Sequence, residues 1–276
     1  MEHAEIYDVA LAYTIAGSGE PVVTIHGALI ADSFAPLFGE PRLTERYRLI
    51  AYQRRGYGES SSAEGMVSIS QQARDCQALL RHLGISRAHV VGHSLGGVIA
   101  LQLALGAPEL VHSLALLEPA LMVGESAGLY RDSLREGQRR YQDDGADVVV
   151  DEFFSARFGG DARATLAEVL PGSFEQAVED AGTAFYSDLP GLLEWEFTES
   201  DARLITAPAL VVLGRDSLKL SPRFEETYDS LLGWLPNAEG YMLPDAAHGL
   251  QLQNPRDMAH ALAGFFDRNP LSARSE

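Results

Sequence analysis

The 276-residue sequence has a single cysteine, Cys76. No disulfide can form within the chain, and a reducing compartment is the simple expectation. Positive charge is also scarce: 21 lysines and arginines face 39 aspartates and glutamates, a formal net charge of −18. Phosphate binding needs a basic face, so a nucleic-acid partner is not expected. The N-terminus, Met1-Glu2-His3-Ala4-Glu5, lacks the positive and apolar regions of a secretory signal. No apolar run reaches the roughly 20 residues of a membrane span. A cytoplasmic protein with no membrane partner is the expectation. Metal-ligand spacing is missing too: there is no H-E-x-x-H, and His89 and His93 straddle a strand-to-turn boundary instead of sharing a helical face. Neither G-x-x-x-x-G-K-[ST] nor a post-strand G-x-G-x-x-G occurs, so nucleotide binding has no support. No cofactor is expected.

What is present is an ordinary globular composition, 46% hydrophobic, in a length that suits one large α/β domain or a core with an insertion. Residues 6 to 16 partly alternate and predict a strand or hairpin, broken by Gly17-Ser18-Gly19-Glu20-Pro21. Val22-Val23-Thr24-Ile25 is β-branched throughout, as a buried parallel strand should be. Another strand is expected over Arg48 to Tyr52. A helix should follow, capped near Ser68, with Ile69, Ala73, Cys76, Leu80 and Leu83 on its apolar stripe and Gly84 ending it. Cys76 on that stripe reads as a packing residue, not a nucleophile. Strand and helix alternate from residue 22 onward, which predicts a mostly parallel, doubly wound sheet with helices on both faces.

The organising stretch is Ala88 to Gly106. A short apolar strand runs into Gly92-His93-Ser94-Leu95-Gly96, and an apolar helix follows. G-x-S-x-G between strand and helix is a nucleophile elbow: the serine sits at the tip of a strained turn, and side chains two residues either way would collide with it. Glycine at both positions removes them. Ser94 then projects over the sheet at the positive end of the helix. The His26-Gly27-Ala28-Leu29 loop ends a neighbouring strand, so the Ala28 N–H can join the Leu95 N–H in facing a bound carbonyl oxygen. His26 itself reads as a structural hydrogen-bonding residue. Arg54 and Arg55 read as a solvated cluster tying loops together in preference to an anion clamp.

Leu114 to Leu117 is a strand ending at Glu118. From residue 121 the strand pattern disappears and charged helical runs appear until about 200. This predicts a core in two parts, 1–120 and 204–276, with a helical insertion over 121–203. Its aromatics (Tyr130, Phe153, Phe154, Phe158, Phe174, Phe185, Tyr186 and Trp195) are expected mostly to pack, and in part to face a substrate cavity. Strands resume at Ala209 to Leu213 and Gly240 to Pro244. His248 follows the last of them, and Pro255 opens a C-terminal helix.

These motifs carry a family resemblance. His26-Gly27, Arg55-Gly56-Tyr57-Gly58-Glu59-Ser60, Gly92 to Gly97 and Ala246-Ala247-His248 make the chain similar to the α/β-hydrolase superfamily over nearly its whole length, and to its cap-bearing members in particular. The resemblance implies the α/β-hydrolase fold with a helical cap after the strand ending at Glu118. It also implies Ser94 as nucleophile, His248 as general base, and the Ala28 and Leu95 amides as oxyanion hole. One departure concerns the triad acid. The family's usual position, three residues after the glycine that ends the penultimate strand, holds Ser217; Asp216 is one residue early. Glu118, on the neighbouring strand end, is the other candidate and is favoured for its more rigid placement. Asp245 lies too close to His248 in sequence to be a comfortable partner.

The chemistry so implied is hydrolysis of a carboxylic ester or lactone of a small, largely apolar molecule through an acyl-enzyme. A C–C bond hydrolase, a thioesterase or an acyltransferase would use the same residues. A serine at position 94 argues against the haloalkane and epoxide chemistries, which in this superfamily use aspartate. A ligand receptor that keeps the fold without turnover is an alternative of another class. A monomer or homodimer is expected.

Overall fold

The computed structural model describes residues 1–62 and 64–271; Ala63 and the last five residues of the expected 204–276 segment lie outside them. Eight strands form one sheet: β1 (Glu2–Ile6), β2 (Val9–Ala16), β3 (Glu20–Ile25), β4 (Tyr47–Tyr52), β5 (Ala88–His93), β6 (Val111–Leu117), β7 (Ala209–Gly214) and β8 (Ala238–Leu243). Their order is β1-β2-β4-β3-β5-β6-β7-β8. β1 and β2 pair antiparallel, as do β2 and β4; every other neighbouring pair is parallel. The N-terminal hairpin begins earlier than its sequence pattern suggests, because β1 is half exposed and carries little apolar signal.

Side chains that alternate along the strands feed two cores. Val23, Val90, Leu114 and Val211 face one side, where α3 (Ile69–His82) and α4 (Leu95–Gly106) pack. Val22, Val91, Ala115 and Val212 face the other, beneath α13 (Pro255–Arg268) with its Phe265 and Phe266. Two one-turn helices, α1 (Ala35–Phe38) and α2 (Pro41–Thr44), complete that second layer. Cys76 is buried on α3, and burial pushes its thiol up to about 12, which leaves it inert.

Between β6 and β7 the described chain is helical: α5 (Ala127–Asp144), α6 (Ala146–Phe158), α7 (Ala162–Val169), α8 (Ser173–Glu179), a π-helical stretch Thr183–Asp188, α9 (Leu189–Glu194) and α10 (Glu199–Ala202). After β7 come α11 (Arg223–Trp234) and, beyond β8, the short α12 (Leu250–Gln253). β3 and β5 lie side by side with β4 beyond β3, so the crossovers leave this pair in opposite directions. That switch point opens a crevice at the carboxyl ends of the two strands.

The helical segment is fastened to the sheet by a buried ion pair. Arg54, 1% exposed, donates to both carboxylate oxygens of Asp188 at 3.0 and 2.8 Å, and Tyr57 Oη adds a bond of 2.6 Å to the same group. The expectation of a solvated arginine fails here, since its partner lies 134 residues away in sequence. Arg55, by contrast, pairs with Asp75 of α3 nearer the surface.

Candidate active site

Ser94 has φ 53° and ψ −118°, a backbone conformation that L-residues rarely adopt. It is held there from several sides: its N–H donates to Leu117 O, and its carbonyl accepts from Gly97 and Ala120. A Cβ at Gly92 would overlap the backbone of Gly96, and one at Gly96 would overlap the Ile25 and His26 carbonyls. The glycines are therefore set by backbone passing close to backbone.

His248 is brought to Ser94 by the turn after β8. Its Nε2 lies 3.0 Å from Ser94 Oγ, and its Nδ1 lies 2.6 Å from Glu118 Oε2. The other carboxylate oxygen, Oε1, accepts from Gly214 N–H at 2.8 Å, across the gap from β6 to β7. An ionised Glu118 can only accept, so the proton sits on Nδ1 and the Nε2 lone pair faces the serine hydroxyl. Asp216 is elsewhere: it is 41% exposed and pairs with Lys219 at 2.6 Å. Ser217, at the position where the family's acid is usual, is fully buried and its hydroxyl has no well-aligned partner among the described residues, yet it helps to favour the charged form of Glu118.

Burial pushes Glu118 up to about 7, against the Ser217 and Gly214 groups and the Arg223 charge that favour its ionised form. Burial likewise holds His248 well below the ordinary histidine value, and the charges of Arg223 and Arg157 add to this. At neutral pH the ring is thus uncharged and available as a proton acceptor.

The loop after β3 completes the arrangement. Gly27 packs against the Ser94 side chain. Among the described residues, neither the Ala28 N–H nor the Leu95 N–H donates a hydrogen bond to the protein, and Leu95 is the first residue of α4, where amide hydrogens point outward. His26 fixes this loop: its Nε2 accepts from the Arg54 N–H at 2.9 Å, so its Nδ1 donates to Gly27 O at 2.7 Å. Arg54 Nη2 donates to the same carbonyl at 2.9 Å.

The comparisons with known proteins agree with this architecture. A family model described as the α/β hydrolase fold matches residues 20–255. The chain belongs to the α/β-hydrolase family. A 2-hydroxy-6-oxo-6-(2'-aminophenyl)hexa-2,4-dienoic acid hydrolase from Metapseudomonas resinovorans is 26% identical to this hydrolase over 275 residues, 94% of this chain and 88% of the relative. A protein named as a carbamate hydrolase, from Azorhizobium caulinodans, is 37% identical over 120 residues, which span 42% of this chain and 44% of that one. Among solved structures, a thermophilic esterase from Thermogutta terrifontis shares the fold with a TM-score of 0.83 at 20% identity, over 97% of this chain and 99% of its own.

One cavity adjoins the serine of this hydrolase, and a second shares a wall with it. A small one of about 20 Å3 touches Ser94, His248, Ala28 and His93, and is roofed by Phe153, Phe154, Arg157 and Phe158 of α6. A larger one, of about 520 Å3, lies between α5, α6 and the start of α11. Phe153 and Arg157 border both. Of the aromatics singled out in the sequence, Tyr130, Phe153 and Phe185 line the larger cavity, while Phe174 packs on Phe154 and Tyr186 is half exposed. Three side chains were not singled out from sequence. His93 donates from Nε2 to the His248 carbonyl at 2.8 Å and so holds the His248 turn. Its place inside the G-x-S-x-G motif was visible, but its partner was not. Arg157 and Arg223 left no signal at all, because a guanidinium facing a cavity looks in sequence like one facing water.

Proposed function

We propose that this hydrolase cleaves a carboxylic ester or lactone of a small molecule, with Ser94 as nucleophile, His248 as general base and Glu118 as the acid that orients it. The observation that carries the reading is the unbroken path from Ser94 Oγ through His248 to Glu118, at 3.0 and 2.6 Å. Ser94 Oγ adds to the carbonyl carbon as its proton passes to His248 Nε2, and the carbonyl electrons move onto oxygen. The Ala28 and Leu95 N–H groups receive that oxyanion. Collapse breaks the C–O bond, and the leaving alkoxide takes the proton from Nε2. Water then adds to the acyl-enzyme by the same route, giving the acid and restoring Ser94. Residues 121–203 serve as the cap, between core parts 1–120 and 204–276, and shape the substrate cavity.

A second reading, C–C bond hydrolysis, is supported by the relative from Metapseudomonas resinovorans, whose named dienoic acid contains no ester or lactone to cleave and whose match covers most of both chains. The test is intact mass after fluorophosphonate treatment, together with p-nitrophenol release from short acyl esters. A single adduct and turnover, both lost in Ser94→Ala, are expected. An adduct without ester turnover moves the C–C reading ahead. No adduct and no turnover refutes both.

A further inference from the structure

Arg54 and Arg223 are the buried arginines among the described residues. Arg54 has Asp188. Among the described residues, Arg223, 7% exposed, is within ion-pair distance of no carboxylate. Its guanidinium lies over the rings of Tyr130 (4.2 Å) and Phe224 (3.8 Å). Half-buried Arg157 repeats the pattern: it lies 3.5 Å over the Phe153 ring, its Nη1 donates to the Phe153 carbonyl at 2.9 Å, and it too has no carboxylate partner among the described residues. Both line the 520 Å3 cavity, whose wall also carries Glu136, Arg140 and Glu152; those carboxylates are already engaged, Glu136 by Arg139 and Glu152 by Arg140.

Two like charges on one cavity wall, neither in a direct ion pair among the described residues, are costly. The cost is harder to explain in a chain with 39 acidic residues against 21 basic ones, where carboxylates are plentiful. Both arginines are also tied to the candidate base. Phe224, beside Arg223, contacts the His248 ring at 5.2 Å between centroids, and the His248 N–H donates to the Arg157 carbonyl at 3.1 Å. The aromatic rings occupy guanidinium faces, which leaves the in-plane N–H groups, apart from the Arg157 Nη1 hydrogen given to Phe153 O, as the donors open to a ligand. Edge-on, paired donors match a planar carboxylate.

We infer that the substrate carries a free carboxylate besides its scissile ester or lactone, and that Arg157 and Arg223 bind it in the cavity between α5, α6 and the start of α11. This rests on the Ser94 chemistry proposed above. The carboxylate supplies the direct ion-pair partner that neither arginine has among the described residues, so an anionic substrate gains an attraction that a neutral one of the same shape lacks. Arg157, on the partition between the two cavities, lies where the carboxylate end and the reacting end of one molecule meet.

A binding experiment separates the two claims. On Ser94→Ala protein, calorimetry compares octanoate with octanamide, a neutral molecule of nearly the same shape. Octanoate should bind at least about tenfold more tightly. Arg157→Met and Arg223→Met should each remove most of that preference, and Arg223→Lys should retain part of it. In the active protein, monomethyl suberate is compared with methyl octanoate, and 6-butyryloxyhexanoate with hexyl butyrate. For at least one pair, kcat/KM should favour the anionic ester by about 10- to 100-fold, and the arginine variants should reduce that ratio. Equal binding of octanoate and octanamide, or a preference that survives both Met substitutions, overturns the inference. Tighter binding of octyl phosphate than of octanoate overturns the carboxylate assignment. An intact binding preference with no ester turnover and no adduct on Ser94 leaves the carboxylate site standing and defeats the ester reading.

Discussion

Replacing Glu118 by glutamine changes one oxygen into an amide nitrogen and nothing else in shape, so its effect can be worked from two distances. Oε2 accepts from His248 Nδ1 at 2.6 Å and Oε1 accepts from Gly214 N–H at 2.8 Å. Glutamine can accept only one of these. If its carbonyl faces His248, its NH2 meets the Gly214 N–H, donor against donor, at a cost of about 1–3 kcal/mol in a buried site. If it turns over, the NH2 donates to Nδ1 and moves the ring proton to Nε2, where it faces Ser94 Oγ and blocks proton acceptance. Reaction then requires the unfavourable orientation, and it also forgoes the charge-assisted bond to the developing imidazolium, worth about 1.5–3 kcal/mol. The sum, roughly 2.5–6 kcal/mol, corresponds to a fall in kcat of about 10²–10⁴. The assay is p-nitrophenyl butyrate hydrolysis by Glu118→Gln, with Asp216→Asn as control; the control should stay within about twofold, because Asp216 is a surface ion pair. Stability should hold, since a neutral amide replaces a carboxylate that burial already disfavours. A Glu118→Gln protein within about tenfold of wild type, or an equal loss in Asp216→Asn, refutes the assigned role.

Asp188→Asn leaves Arg54 buried without its counter-charge and should lower unfolding free energy by about 3–5 kcal/mol in urea titrations. It should also slow turnover, because Arg54 holds the Gly27 carbonyl beside Ala28. Gly96→Ala drives a methyl group into the Ile25 and His26 carbonyls; we expect at least about 1–3 kcal/mol of destabilisation, seen as a lowered Tm, with loss of fluorophosphonate labelling. Acid should destabilise the fold. His26, His89, His93 and His248 are all held below 6.5 by burial first of all, His89 at about 4 and His93 at about 3. Below pH 6.5 the unfolded chain binds protons that the folded chain refuses, so stability falls by up to about 1.4 kcal/mol per pH unit per histidine. Glu118, raised to about 7, works the other way between 4.5 and 7 and offsets about one histidine. Net loss of a few kcal/mol from pH 7 to pH 5 is expected in denaturant titrations; an unchanged midpoint would contradict the buried neutral histidines.

Much of the site was legible because its signals are local. The elbow needs glycine at fixed offsets from the serine, and β5 is an uninterrupted apolar run. Glu118 was favoured over Asp216 because a strand end is stiffer than a loop, and the structure places Glu118 on His248 and Asp216 at the surface. Signals that depend on distant partners were not legible. The solvent exposure expected for Arg54 depends on Asp188, and the role proposed for Arg157 and Arg223 depends on their forming no direct ion pair among the described residues. No window of sequence reports an absence in space.

Backbone strain shows how the fold localises its working edge. Five described residues other than glycine have positive φ: Tyr7, Leu29, Ser94, Glu118 and Asp245. Tyr7 serves the tight β1–β2 turn. The remaining four follow β3, β5, β6 and β8, all at the carboxyl end of the sheet. Each such conformation costs about 1–3 kcal/mol, and it persists only where surrounding bonds over-determine it. Those bonds are present: Ser94 N–H to Leu117 O, Glu118 N–H to Val212 O, and Ala120 N–H back to Ser94 O. They run from β5 to β6 to β7, so the ladder that sets strand register also holds the serine and the glutamate in their strained poses. Loosening either residue would require breaking sheet hydrogen bonds. The helical segment above has positive φ only at glycines among its described residues, and it meets this edge through the Arg54–Asp188 pair and the bond from His248 N–H to Arg157 O.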